Sequence, residues 1–373
     1  MKYLRTLSTR GLLLVGVAAA LLVVGGTTIA IAASGGSGPV PPATPLPRAI
    51  HEGLAANEPA GITARIRFTN GLLPSSALLG QAGATSALMS GASGRLWARP
   101  DGRGRLELQS NAGDVQVVWK RGEATVYDAS SNTVYRIALP KRQRGQQAPP
   151  SVSGIGAALG ELTKHVNVSS AQPSSVAGRR AYTVRLSPKE PGGLLGSVRV
   201  AWDSSRGVPL RAAIYARGAT KPVLELTTTS IHYGAVPLST VAIAPPAGAT
   251  VVDLTPPAGR EKGKARPEKL SFQLVAPARL AGLQRSVTHR VGRGALVVYG
   301  EGLGAITVLE HPAGDKTAAQ LKALPVVPLD GVEAHELATP LATVLTWERD
   351  GVSFVLVGSV EPSVAESAAR SLR

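Results

Sequence analysis

This chain of 373 residues brings six histidines (His51, His165, His232, His289, His311 and His335), no cysteine and 24 carboxylates to any acid–base or metal chemistry. A zinc-protease helix needs two His four positions apart with Glu after the first. His335-Glu336-Leu337-Ala338 begins that pattern, but Thr339 stands where the second ligand belongs, so two imidazoles cannot share a helical face. Gly259-Arg260-Glu261-Lys262-Gly263-Lys264 is one residue short of a phosphate-cradling loop and follows no strand, so it reads as a solvated linker. Gly154-Ile155-Gly156 is followed by Gly160, one position too late for a dinucleotide fingerprint, with no βαβ unit around it. Without cysteine there is no thiolate nucleophile, no disulfide, no thiolate-held metal and no lipid-modified N-terminal Cys. We therefore expect no catalytic residues, no metal and no cofactor. Nucleic acid is not an expected partner either, because aromatics make up only 4% of the chain and fall on dry strand positions instead of alternating with Arg or Lys.

The chemistry that remains is apolar binding. Residues 70–94 carry no charge and contain Leu72, Leu73, Leu78, Leu79, Leu88 and Met89. Loops this long in a compact domain act as lids or binding elements, although buried apolar segments also serve as core. The expected site is a dry concavity lined by Ile66, Phe68, Trp119, Tyr182 and Trp202, covered by those six residues as a lid. Under the competing reading the same segment is a plug that completes the core.

The elements that would position this site are strands. Ile62, Ala64, Ile66 and Phe68 alternate with Thr63, Arg65, Arg67 and Thr69, and period-two alternation returns at Leu106/Leu108, Val115/Val117/Trp119 and Tyr135/Ile137/Leu139. It continues at Tyr182/Val184/Leu186, Val198/Val200/Trp202 and Leu210/Ala212/Ile214. One-faced alternation predicts an antiparallel sheet with one wet and one dry face. Helical patterns occur only at 48–56 and 153–165 in this part, so a sheet of about ten strands must curl into a cupped half-barrel to cover its dry face. Farther on, 295–299 and 305–309 read as strands, 341–347 and 352–357 as a hairpin through Arg349-Asp350-Gly351, and 362–372 as a helix started by Pro362 with Ser363 and Glu366 at capping-box spacing. The predicted class is mainly β with α+β character: a curved antiparallel half-barrel with a helical lid or plug, then a smaller α+β domain.

Residues 11–33 hold no charged side chain and follow Lys2, Arg5 and Arg10. About 20 such residues span a bilayer, and the positive flank puts the N-terminus in the cytoplasm. The segment is an anchor, or, if Ala30-Ile31-Ala32 is a cleavage site, a secretory signal. In either case the rest lies outside the cytoplasm. The expected division is a segment at 1–33, a Gly/Ser/Pro linker at 34–47, a curved-sheet domain at 48–255, a linker at 256–267 and an α+β domain at 268–373. The net charge is +16, of which Lys2, Arg5 and Arg10 supply three, leaving +13 beyond the apolar segment. That favours an anionic membrane or wall surface, or serves solubility alone.

The order of helix, long one-faced sheet and apolar insertion after the first strand resembles the lipoprotein-carrier (LolA-like) fold. Gly178-Arg179-Arg180-Ala181-Tyr182-Thr183-Val184-Arg185-Leu186, followed by Val198, Trp202-Asp203 and Gly207-Val208-Pro209-Leu210-Arg211, resembles a hairpin recurring in that group. The stretch from Ala295-Leu296-Val297-Val298-Tyr299-Gly300 to Val308-Leu309-Glu310 is similar to the C-terminal domain of the RseB/MucB sigma-E regulators. Together the likeness spans most of 48–373. It implies a non-enzymatic protein that takes a lipid, acyl chain or lipoprotein in the concave sheet. The alternative it implies is an envelope-stress regulator or scaffold that contacts a membrane-bound regulatory protein such as an anti-sigma factor. The apolar peptide segment is a departure, since those carriers and regulators are soluble or lipid-modified; it favours a tethered receptor over a free shuttle.

Overall fold

The computed structural model describes residues 38–72, 87, 91–111, 113–120, 122–139, 150–189, 193–254, 270–291, 293–301, 304–314 and 324–372. Residues 11–33 lie outside this set. Among the described residues no helix is long and apolar enough to cross a membrane.

The first part is one large sheet. Helix α1 (Leu46–Ala55) precedes β1 (Ile62–Asn70), β2 (Ala92–Ala98), β3 (Gly104–Ser110), β4 (Gly113–Lys120), β5 (Glu123–Asp128) and β6 (Thr133–Ala138). Helix α2 (Val152–His165) leads to β7 (Val166–Val168), β8 (Gln172–Val176), β9 (Arg179–Pro188), β10 (Leu195–Asp203), β11 (Pro209–Ala216) and β12 (Leu224–Tyr233). The short α3 (Leu238–Val241) and β13 (Thr250–Asp253) complete it. The spatial order is β13-β6-β5-β4-β3-β2-β1-β12-β11-β10-β9-β7, with β8 on β9. Consecutive strands mostly form antiparallel hairpins. The non-local joints are β1 with β12, antiparallel, and β13 with β6, parallel. The protein is mainly β, a curved antiparallel half-barrel followed by a smaller α+β part.

Both helices lie over the β9–β10 region. Leu46, Ala49 and Ile50 recur at helical spacing on α1, Pro47 fits its first turn, and the buried face meets Tyr182, Val184, Val200 and Trp202. Helix α2 starts where the Ser151 hydroxyl accepts from Gly154 N at 3.1 Å, and it adds Ile155 and Leu159 to the same cluster.

The second part holds β14 (Arg279–Leu280), β15 (Leu283–Val291), β16 (Gly294–Tyr299), β17 (Ile306–Pro312), β18 (Val326–Leu329), β19 (Val332–Ala338), β20 (Thr343–Arg349), β21 (Val352–Gly358) and α4 (Pro362–Ser371). Its sheet order is β14-β15-β16-β17-β21-β20-β19-β18. Helix α4 sets Ala365, Ala368, Ala369 and Leu372 into a core with Trp347, Phe354 and Leu356; the Trp347 and Phe354 rings stack 4.9 Å apart. The capping box expected at its start does not form. Glu361 is the N-cap and makes no side-chain cap bond, while Glu366 pairs with Arg370 at 2.8 Å. His335 lies on strand β19, where its Nδ1 is 3.1 Å from Leu324 O, and not on a helix.

Candidate binding face

The register of β1–β6 assembles an apolar face from side chains that are far apart in the chain. Ala64 opposes Leu96, Leu96 opposes Leu106, Leu106 opposes Val117, Val117 opposes Val126 and Val126 opposes Tyr135. Ile231 of β12 extends this row at one end and Val252 of β13 at the other. Because cross-strand partners project to the same side of a sheet, the row is one continuous apolar band. Beside it run Ile66, Leu108 and Val115 on one flank and Ile62, Trp119 and Ile137 on the other.

Two glycines make this band possible. A Cβ at Gly94 would stand 1.8 Å from Glu107 O, and one at Gly104 would stand 2.0 Å from the Trp119 ring. Neither position tolerates a side chain in this arrangement, so the indole of Trp119 lies over bare backbone. A buried polar residue in this face is Asp128, which opposes Val115. Its Oδ1 accepts from Ser130 N at 3.0 Å and Ser130 Oγ at 2.7 Å. Burial first, and then the Asp128 charge, push the Tyr135 phenol above its ordinary pKa.

The structure divides the residues named from sequence between two clusters. Ile66 and Phe68 are buried in the β1–β6 band, with half-buried Trp119 packed against it. Tyr182 and Trp202 belong to the separate cluster beneath α1 and α2, their rings 6.0 Å apart. The register from Phe68 through Leu226, Ala212 and Val200 to Val184 keeps them on the same side of the sheet as Phe68, but α1 and α2 cover their part of it. Of the proposed lid, Leu72 is half-buried and donates its N–H to Asn70 Oδ1 at 2.9 Å, turning the chain off β1. Leu73, Leu78, Leu79, Leu88 and Met89 lie outside the described residues. Ala87, the described residue between them, is fully buried in the β1–β6 cluster. Leu96 and Val126 were not recognised from sequence. Strand β2 carries Gly94 and adjacent Leu96 and Trp97, which hides its alternation; pairing it in register with Ala64 and Leu106 would have revealed Leu96.

A cavity of about 580 Å³ lies elsewhere, between the proline-rich stretch before α1 and the β8–β9 and β10–β11 turns. Its walls mix Pro39, Pro41 and Pro45 with the charged Arg48, Glu52 and Arg180. Tyr182 Oη donates to Pro42 O at 2.9 Å and lies 2.6 Å from Thr44 Oγ1. The described end of the expected 34–47 spacer is therefore strapped to the domain. Pro41 is buried there.

No protein family's sequence profile matches the chain, and no curated protein matches it. The chain is similar to several solved structures, all at low sequence identity. The MucA/MucB complex of Pseudomonas aeruginosa is 17% identical, covering 87% of this chain and 96% of that one with a TM-score of 0.44. MucB solved with periplasmic MucA is 18% identical over 84% of this chain and 93% of that one, also at 0.44. A LolA superfamily protein from Nitrosomonas europaea is 11% identical, covering 54% of this chain and 99% of that one, with a TM-score of 0.22.

Proposed function

We propose that this is a non-catalytic binding protein, tethered outside the cytoplasm by residues 11–33, that takes an acyl chain of a lipid or lipoprotein on the apolar face of β1–β6. The observation that carries this reading is the unbroken band from Ile231 through Ala64, Leu96, Leu106, Val117 and Val126 to Tyr135. Helices α1 and α2 pack over a different region, and the insertion that returns to the band through Ala87 contains no charge. An acyl chain would replace part of the insertion's contact, exchanging one apolar neighbour for another at little cost in desolvation.

Thermal melts of the parent, Leu78→Asp and Leu79→Asp, with and without palmitate, test this. Palmitate at about 100 times its Kd should stabilise the parent by about 2.7 kcal/mol. The two variants should remain folded and lose most of that shift, because a carboxylate facing the band is costly chiefly when ligand excludes water. Destabilisation of about 3 kcal/mol or more without ligand, together with no palmitate effect on the parent, would make the insertion a core plug. The regulator or scaffold reading would then replace the acyl site.

A further inference from the structure

Strand β15 is poorly accounted for by the fold that carries it. Seven consecutive residues, Gln284 to Arg290, are exposed on both faces, so this stretch contributes little to the core. One edge pairs with β16, where Val287 opposes Val298, His289 opposes Leu296 and Val291 opposes Gly294. On the other edge the two-residue β14 reaches only Leu283 and Gln284, and Ala278 O accepts from Arg285 N at 2.9 Å.

The hydrogen bonds fix which backbone groups turn outward. Gly300 N donates to Gln284 O at 2.7 Å, and Ser286 Oγ donates to both Val298 O and Gly300 O, so Val298 and Gly300 turn toward β15. Alternation along β16 then sets Leu296 toward β15 as well. Val287 and His289 complete that ladder, and the N–H and C=O of Thr288 between them point away from β16 with no strand opposite among the described residues.

The charge along this edge has one sign. Between residues 271 and 300 there is no Asp or Glu, while Arg279, Arg285, Arg290 and Arg293 are all exposed and His289 lies among them. An open edge is a template for another strand, and like charge disfavours a second copy of the same strand. We propose that β15 is a docking edge for an extended, carboxylate-rich peptide segment of another protein. The segment adds as a strand at Thr288, with its acidic side chains set among the exposed Arg279, Arg285, Arg290 and Arg293, of which Arg285 also donates to Ala276 O. This is independent of how the β1–β6 face is used.

The probe is a labelled nine-residue peptide, matching β15 in length, that alternates Glu with Val or Thr. It is titrated into the full chain in neutral detergent micelles and followed by fluorescence anisotropy and amide exchange. The peptide should bind and slow exchange in β15. Thr288→Pro removes the outward donor while sparing the β16 ladder; it should weaken binding about tenfold or more without changing the melt, as should replacing the peptide's Glu with Gln. Absence of binding, or binding that Thr288→Pro leaves unchanged, overturns the proposal. So does self-association that Thr288→Pro abolishes, because the occupant would then be a second copy of the chain.

Discussion

The indole of Trp119 lies across Gly104: the two are cross-strand partners in β4 and β3, and a methyl group on Gly104 would stand 2.0 Å from Cζ2 of the ring. Gly104→Ala should therefore displace the indole from the apolar band and cost about 1–3 kcal/mol, the range for overpacking a filled site. In a Trp119→Leu background the same change should cost much less. Chemical denaturation of the two single variants and the double variant measures that coupling directly. Simple additivity would show that the ring does not depend on Gly104.

Tyr182 ties two levels of the structure together, packing its ring against Trp202 while its hydroxyl holds Pro42 and Thr44. Tyr182→Phe keeps the ring contact and removes the anchor. We expect a loss of about 1 kcal/mol and faster amide exchange at Ala43 and Thr44. Unchanged exchange there would mean that the strap is held by Pro41 packing alone.

Glu310 is fully buried, and its carboxyl is pushed up to about 7 by burial, partly offset by the N–H of Val275, which it accepts at Oε2 at 2.8 Å. A carboxyl whose folded pKa exceeds its unfolded value binds its proton more tightly in the native state. Its stabilising contribution is complete below the unfolded pKa of about 4.5, fades as pH rises and is gone above about 7. Relative to the parent, Glu310→Gln should flatten the stability profile between those limits; equilibrium unfolding from pH 4.5 to 8 reads the difference. Parallel profiles for the two proteins would show that Glu310 does not titrate in this window.

The boundary between the two parts is proposed at 256–267, where Arg260, Lys262 and Lys264 offer trypsin sites with no apolar periodicity around them. Described contacts between the parts include Leu194 N with Ser359 O at 3.0 Å and a half-exposed Arg217–Glu361 pair at 3.5 Å. Brief digestion should yield two resistant fragments. A single melting transition shared by both parts and resistance to cleavage at this segment would refute the boundary.

The sequence by itself determined those features whose causes are local. Alternation in β1, β3, β4 and β10 sets which side chains face inward, because successive residues of a strand project to opposite sides. The Asp350-Gly351 hairpin follows from left-handed backbone at both positions (φ 51° and 74°), which Gly adopts freely and Asp tolerates. Helices α1 and α2 follow from Pro47, the Ser151 cap and apolar spacing.

What only the tertiary structure decided are the joints between distant segments. The pairing of β1 with β12 brings Ile231 beside Ala64 across more than half of the first domain's length, and nothing in either strand's own pattern names the other. The placement of α1 and α2 over Tyr182 and Trp202 puts those aromatics in a different cluster from Ile66, Phe68 and Trp119, although the ladder keeps all five on one side of the sheet. Period two reports that a side chain faces a dry side. It does not report which partner makes that side dry, because burial depends on the layer packed above the sheet, and that layer comes from residues remote in the chain.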